Sequence, residues 1–437
     1  MYPKLLGLLL VMLLATSCSG VLLDTQELLQ APKLNQKQAS VYEALEQTLD
    51  TKNIVYKYPE SGEYHSSFVF FDLDGDGSQE AIVFYALLSE PSDIRVKVLS
   101  SKEGTWGSVY DFAGAGDTVD FLRFARLSSQ NSYNMVIGWK NGRQKAKSLS
   151  VYTFEEEGLQ EEKNYPYQFH TIGSFLPGGL EQIVLVGKNS GPDPYSATLL
   201  RYVSGRISEA GLVDLSSDTT DILALSTGRL PDGAMGLYID ESFTGTISAT
   251  EIFRISAQAL EPIAADSNET WDLYAQTFRD REEICRDFDQ NGVMEIPMPF
   301  AQAGVSSSED YSPKILRYMK LAGGKLAPAY TLALNEDAGY ALFLPEEWVE
   351  AVTIQRQAVN KESRIYQTDP ETGDIRRELL RIRVYSSKDV QDKFVQEEYF
   401  LLGTKGFFNY WGYIPPYEGS DPAVKTKEEI RQMFLLL

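Results

Sequence analysis

The chain has 437 residues, with 62 acidic against 40 basic side chains, a net charge of −22 and 43% hydrophobic residues. That length suits two or three domains, and the charge argues against nucleic acid and against electrostatic binding to anionic lipid. Cys18 and Cys285 are the only cysteines, too few for a disulfide framework, so stability is expected from core burial, with ions as a further source.

Met1–Gly20 reads MYPKLLGLLLVMLLATSCSG, with one lysine, an apolar core from Leu5 to Ala15 and small residues before Cys18. The core is too short to cross a bilayer as a helix and reads as an export signal. Ala15-Thr16-Ser17-Cys18 resembles a bacterial lipobox, with Ala where that family usually has Leu. The resemblance implies that residues 1–17 are a lipoprotein signal peptide and that Cys18 carries acyl chains such as palmitate. The protein would then be held on the extracytoplasmic face of a cell membrane by buried methylenes. The alternative is an ordinary signal peptide with an incidental cysteine. No later stretch is long and apolar enough to span.

Residues 18–34 read as a tether. Asn35 and Gln38 offer a helix start, and Val41, Tyr42, Leu45 and Leu49 recur at helical spacing. Ile54–Tyr58 is a short β-rich run. The next stretch, FVFFDLDGDGSQEAIVFY over Phe68–Tyr85, sets an acidic glycine turn between two apolar strands. Asp72, Asp74 and Asp76 alternate, Gly77 follows, and Glu80 takes the ninth position, an arrangement that wraps oxygens around a hard cation such as Ca²⁺. Val83 stands where a calcium EF-hand needs its bidentate glutamate, and the flanks are strands, not helices. The spacing returns at Asp287, Asp289, Asn291, Gly292 and Glu295.

The strand EAIVFY from Glu80 is echoed by NMVIGW from Asn134, EQIVLV from Glu181, MGLYID from Met235 and EIPMPF from Glu295. Each echo is followed by a second strand pair around a turn, most plainly LLRY…GRI at Leu199–Ile207 and ILRY…GKL at Ile315–Leu326. The period of about 47 to about 61 residues lies within the range of a four-stranded propeller blade. A single blade cannot bury both faces, so five or more are expected to close radially. Asn268–Glu283 reads as a helical insertion between blades.

DLDGDGSQEAIVF resembles an FG-GAP or VCBS-type repeat, the calcium-loop blade of integrin-like propellers, over roughly residues 51–335. The resemblance implies Ca²⁺ in two loops, held by Asp72, Asp74, Asp76 and Glu80 and by Asp287, Asp289, Asn291 and Glu295, with backbone carbonyls from Ser78 and Val293. The intervening repeats have lost this set of aspartates, Asp232 standing alone in its turn. The ion would staple a blade corner and do no chemistry; the same residues also favour tight turns without an ion.

From 336 to 437 the pattern changes. GYALFLPEEWV, two β-rich runs and a Thr426–Glu429 capping box before Ile430, Met433, Phe434 and Leu437 give an αβ segment. Its opening and element order resemble small PsbP-like sandwiches. Phe407, Phe408, Tyr410, Trp411, Tyr413 and Tyr417 form the densest aromatic cluster, read as core in preference to a binding platform.

His65 and His170 are the only histidines, and neither HExxH, a G-x-S-x-G elbow nor a P-loop occurs. The expected architecture is mainly β: an N-terminal helix and β-propeller over 35–335 and a C-terminal α/β sandwich over 336–437. The expected function is a non-catalytic, lipid-anchored binding or scaffold protein with a protein or glycan ligand. The alternative is a carbohydrate-active propeller enzyme using paired carboxylates, for which no pair stands out among 62 acidic residues.

Overall fold

The computed structural model describes residues 36–437 except 50–52, 103, 143–145, 156–157, 162–163, 189–194, 244–246, 265–271, 280–282, 301–313, 358–361 and 387–398. Cys18 and the tether therefore lie outside the described residues, as does most of the run from Asp389 to Tyr399. The chain is mainly β, its described residues forming six antiparallel sheets, and divides into two compact units at Leu122/Arg123. Among the described residues no helix is long and apolar enough to cross a membrane.

In the first unit, helix Gln36–Thr48 lays Val41, Ala44 and Leu45 against Phe68, Ala81, Val83 and Leu99 of the first sheet. The first sheet pairs Phe68–Phe71 and Ile54–Tyr56 with Glu80–Leu87, which continues into the hairpin Glu90–Lys102/Thr105–Ala113. The strand Thr118–Ala125 runs across the division between the units.

In the second unit the same plan recurs. Asn134–Asn141, Gln182–Lys188 and Met235–Ser242 each lead into a hairpin with the next strand, as the sequence echoes predict. The fifth sheet runs Ile296–Pro299, Lys314–Ala322, Lys325–Asn335, Tyr340–Phe343 and, from the far C-terminus, Phe434–Leu436. The third, fourth and fifth sheets stack in series. Val184, Ala197 and Leu199 meet Leu237, Ile239 and Phe253 on one face of the fourth sheet, and Tyr238 and Ile252 meet Ile296 and Leu321 on the other. Each strand therefore buries both faces and reads as a continuous apolar run, as in EQIVLV.

The sixth sheet orders Val352–Gln357, Glu362–Thr368, Ile375–Ser386, Phe408–Tyr413 and Phe400–Lys405. Its core is shared with the fifth sheet, joining Ile315, Ala333 and Tyr340 to Trp348, Leu380, Ile382 and Ile430. The 335/336 boundary thus falls between two strands of one sheet. The capping box at Thr426 and Glu429 is formed as expected, but the helix is Lys427–Met433 and the chain then turns extended, so Phe434 and Leu437 lie beyond it. The aromatic cluster is split. Tyr410 is buried, whereas Phe407 is 73% and Phe408 46% exposed at a hairpin tip. Among the described residues of Asn268–Glu283 there is only a short 3-10 turn, Ala275–Thr277, in place of the expected helix.

Candidate functional site

In three of the five repeat loops the residue opening the next strand has a shared structural task. In the first loop the buried Glu80 turns back and its Oε2 accepts from Leu73 N at 2.9 Å, seven residues earlier. The same seven-residue span recurs at Asn134, whose Oδ1 accepts from Leu127 N, and at Gln182, whose Oε1 accepts from Phe175 N at 2.9 Å. Gln182, not the Glu181 of the sequence echo, is thus the structural match of Glu80. Neutral amides replace the carboxylate in the two loops that lack aspartates. The fourth loop closes differently, with Leu230 N donating to Ala234 O and Ala234 N donating to Asp232 Oδ1 at 3.1 Å.

The two acidic loops keep the carboxylate. One oxygen from each of Asp72, Asp74 and Glu80 falls within a 4.8 Å cluster, and the same holds for Asp287, Asp289 and Glu295. Asp76 is not in the first cluster; Asp76 and Asn291 cap Ser78 N and Val293 N at 2.6 and 2.7 Å. Left-handed backbone at Gly75 and Gly77 forms the first loop, and at Gln290 (φ 57°) and Gly292 the second. Glu295 is fully buried; its Oε2 accepts from Tyr330 at 2.8 Å, while Oε1 meets no donor among the described residues. Burial, with Asp289 and Asp287 beside it, pushes the Glu295 carboxyl up to about 7, and burial raises Glu80 as well. A buried, donorless carboxylate oxygen aimed among aspartates fits a hard cation.

A second carboxylate site was not singled out by the sequence reading. Within Met235–Ser242, Ile239 and Glu241 share one face, and Glu251 of Ser248–Ile255 stands opposite Ile239. Glu241 and Glu251 are therefore diagonal neighbours, within reach of each other. Glu241 is fully buried, and its Oε2 accepts from Thr219 Oγ1 at 2.6 Å and from the Tyr274 hydroxyl at 3.0 Å. Its Oε1 meets no donor from any other described residue. Glu251 Oε1 accepts from Ser216 N at 2.6 Å. Burial, then the charge of Glu251, pushes Glu241 up to about 9, and burial raises Glu251 too. Their diagonal places on one face, with the raised proton affinity of both, set the two carboxyls up to share a proton. Tyr274 also packs with Phe243 and Phe278, ring centroids 6.1 and 5.3 Å away.

The opposite face of the same strand is sealed. Asp240 accepts from Thr250 Oγ1 (2.6 Å), Arg279 Nη2 (2.8 Å), Cys285 N (2.8 Å) and Cys285 Sγ (3.1 Å). Cys285 is buried there as a structural thiol. The signal available in the sequence was the Asp240-Glu241 pair inside an otherwise apolar strand, since buried carboxylates need partners.

No family model matches the chain, and no curated protein matches it. It is similar to β-propeller-like solved structures. A 6-phosphogluconolactonase-like protein from Bacteroides uniformis matches at 12% identity over 74% of this chain and 94% of that one, TM-score 0.31. A rhamnogalacturonan lyase from Bacillus licheniformis matches at 11% over 74% and 68%, TM-score 0.32. An exo-β-1,3-galactanase from Phanerochaete chrysosporium matches at 10% over 77% and 72%, TM-score 0.25. These neighbours are mostly enzymes, which corrects the expectation of a non-catalytic protein. At such scores the likeness assigns no substrate.

Proposed function

We propose that the chain is an extracytoplasmic carbohydrate-active enzyme in which Glu241 and Glu251 act as acid and base. The observation that supports this is the pairing of the two carboxyls on one sheet face, with a buried oxygen of Glu241 left without any other donor. A shared proton gives one neutral acid and one carboxylate at neutral pH, the division of labour that acid–base chemistry on glycans needs. Glycosidase pairs hold their carboxyls roughly 5–9.5 Å apart, and an entering sugar sets that separation by moving one of the two. Glu241, fixed by Thr219 and Tyr274, stays; Glu251, on the less buried side, moves.

In this reading the sheets are blades of a β-propeller of five or more, built on FG-GAP/VCBS-like repeats, with a sandwich-like C-terminal part. Ca²⁺, if held by Asp72, Asp74 and Glu80 and by Asp287, Asp289 and Glu295, supplies charge neutralisation that fixes the loops. Cys18 is the lipid anchor; if Cys18→Ser protein stays with the membrane after a salt wash, that part is wrong. The enzymatic part is tested by incubating the purified protein with neutral and acidic polysaccharides and measuring oligosaccharide release by mass spectrometry. Release from at least one is expected, and release from none refutes it.

A further inference from the structure

The carboxyl pair does not stand alone at its rim. Beside it, Phe278 and Ile247 are each 46% exposed, and Phe243 and Phe278 pack with tilted rings, 5.5 Å between centroids. Phe243 N donates to Ile247 O at 2.9 Å, joining the two glutamate-bearing strands just beyond their ends. Tyr274 links patch and pair, with its ring edge-on to Phe278 and its hydroxyl on Glu241. An apolar, mainly aromatic surface is thus continuous with a set of hydrogen-bond acceptors.

Few ligands suit both halves. An aromatic face attracts the C–H side of a flat, weakly polar ring, and its own quadrupole is negative on that face. Carboxyl oxygens beside it call for hydroxyl donors, and the negative charge left on the pair repels an anion. A purely apolar occupant would satisfy Phe278 and Ile247 but would cover the carboxyls without giving them a donor, at a desolvation cost. A ring with one C–H face and a rim of hydroxyls satisfies both.

Resting on the enzymatic reading above, we propose that Phe278, with Phe243 and Ile247 behind it, is the stacking platform of a subsite that takes a neutral sugar ring and delivers it to Glu241 and Glu251. The platform supplies affinity and orientation; the carboxyls do the proton transfer. Phe278 sits at the surface, so its removal leaves the core intact.

The test separates binding from turnover. Cellotriose, xylotriose, galactotriose and trigalacturonate are titrated calorimetrically into the Glu251→Gln protein. At least one neutral trisaccharide is expected to bind and trigalacturonate is not. Phe278→Ala added to Glu251→Gln is expected to weaken neutral binding about tenfold, and Phe278→Trp to keep it, with unchanged melting temperatures. Neutral binding that ignores Phe278→Ala, binding of trigalacturonate alone, or binding of none overturns the platform. A self-association abolished by Phe278→Ala would do the same by giving the patch to a second copy. If the platform fails while the wild type still releases oligosaccharides, the enzymatic reading stands; if the wild type releases none, that reading fails whatever binds.

Discussion

Glu241 and Glu251 meet across one face of the fourth sheet, and Glu241 Oε1 gains a hydrogen-bond partner only if one of the two carboxyls keeps its proton. The unfolded chain has no such arrangement and releases that proton near the ordinary carboxyl value of 4.5, whereas the folded chain holds it to about pH 9. Between those values the native state binds the extra proton.

Stability is therefore fullest below pH 4.5 as far as this pair is concerned, and declines as pH rises through the window, by at most about 1.4 kcal/mol per pH unit. Glu241→Gln keeps a donor toward Glu251 without the charge. Urea unfolding from pH 5 to 9 is expected to show a flatter profile for the variant, and greater stability than wild type at pH 8. Parallel profiles would mean that the pair shares no proton.

The calcium loops give a second expectation. Ion at ten times its Kd adds about 1.4 kcal/mol per loop by mass action. Chelator should lower the melting temperature modestly, Asp74→Ala should remove about half of that shift, and Asp74→Ala with Asp289→Ala nearly all. A melting temperature indifferent to millimolar Ca²⁺ would leave both loops as plain turns.

Gln290 occupies the left-handed position that Gly75 fills in the first loop. A side chain there strains the backbone, so Gln290→Gly is expected to stabilise the protein by about 1 kcal/mol. Differential scanning calorimetry decides, and a loss of stability would show that Gln290 has a contact worth more than its strain.

The neutral caps are expected to matter as much as the charged ones. Asn134 Oδ1 accepts from both Leu127 N and Ser128 N, and its Nδ2 donates to Thr153. Asn134→Leu strands buried polar groups and should cost about 3 kcal/mol in chemical denaturation. A cost under about 1 kcal/mol would mean that water replaces the cap.

The hairpins were legible because their turns carry Gly or Asn between β-branched runs, as in Val203-Ser204-Gly205-Arg206. The acidic loops were legible because their ligands lie within nine residues. The carboxyl pair was not. Glu241 and Glu251 are aligned by hairpin register, and Thr219 and Tyr274 arrive from 22 and 33 residues away. The one-residue slip from Glu181 to Gln182 has the same origin, since an echo of apolar letters does not mark which neighbour turns inward. The final helix was overextended because Phe434 and Leu437 suit its apolar face, while the edge strand Tyr340–Phe343 recruits Phe434–Leu436.

The most direct test of the account is the rate of oligosaccharide release by wild type and by Glu251→Gln on the same polysaccharide, with both proteins melting at similar temperatures. Loss of a catalytic base should slow release by about 100-fold or more. Release at the wild-type rate would show that the Glu241–Glu251 pair is not the catalytic centre.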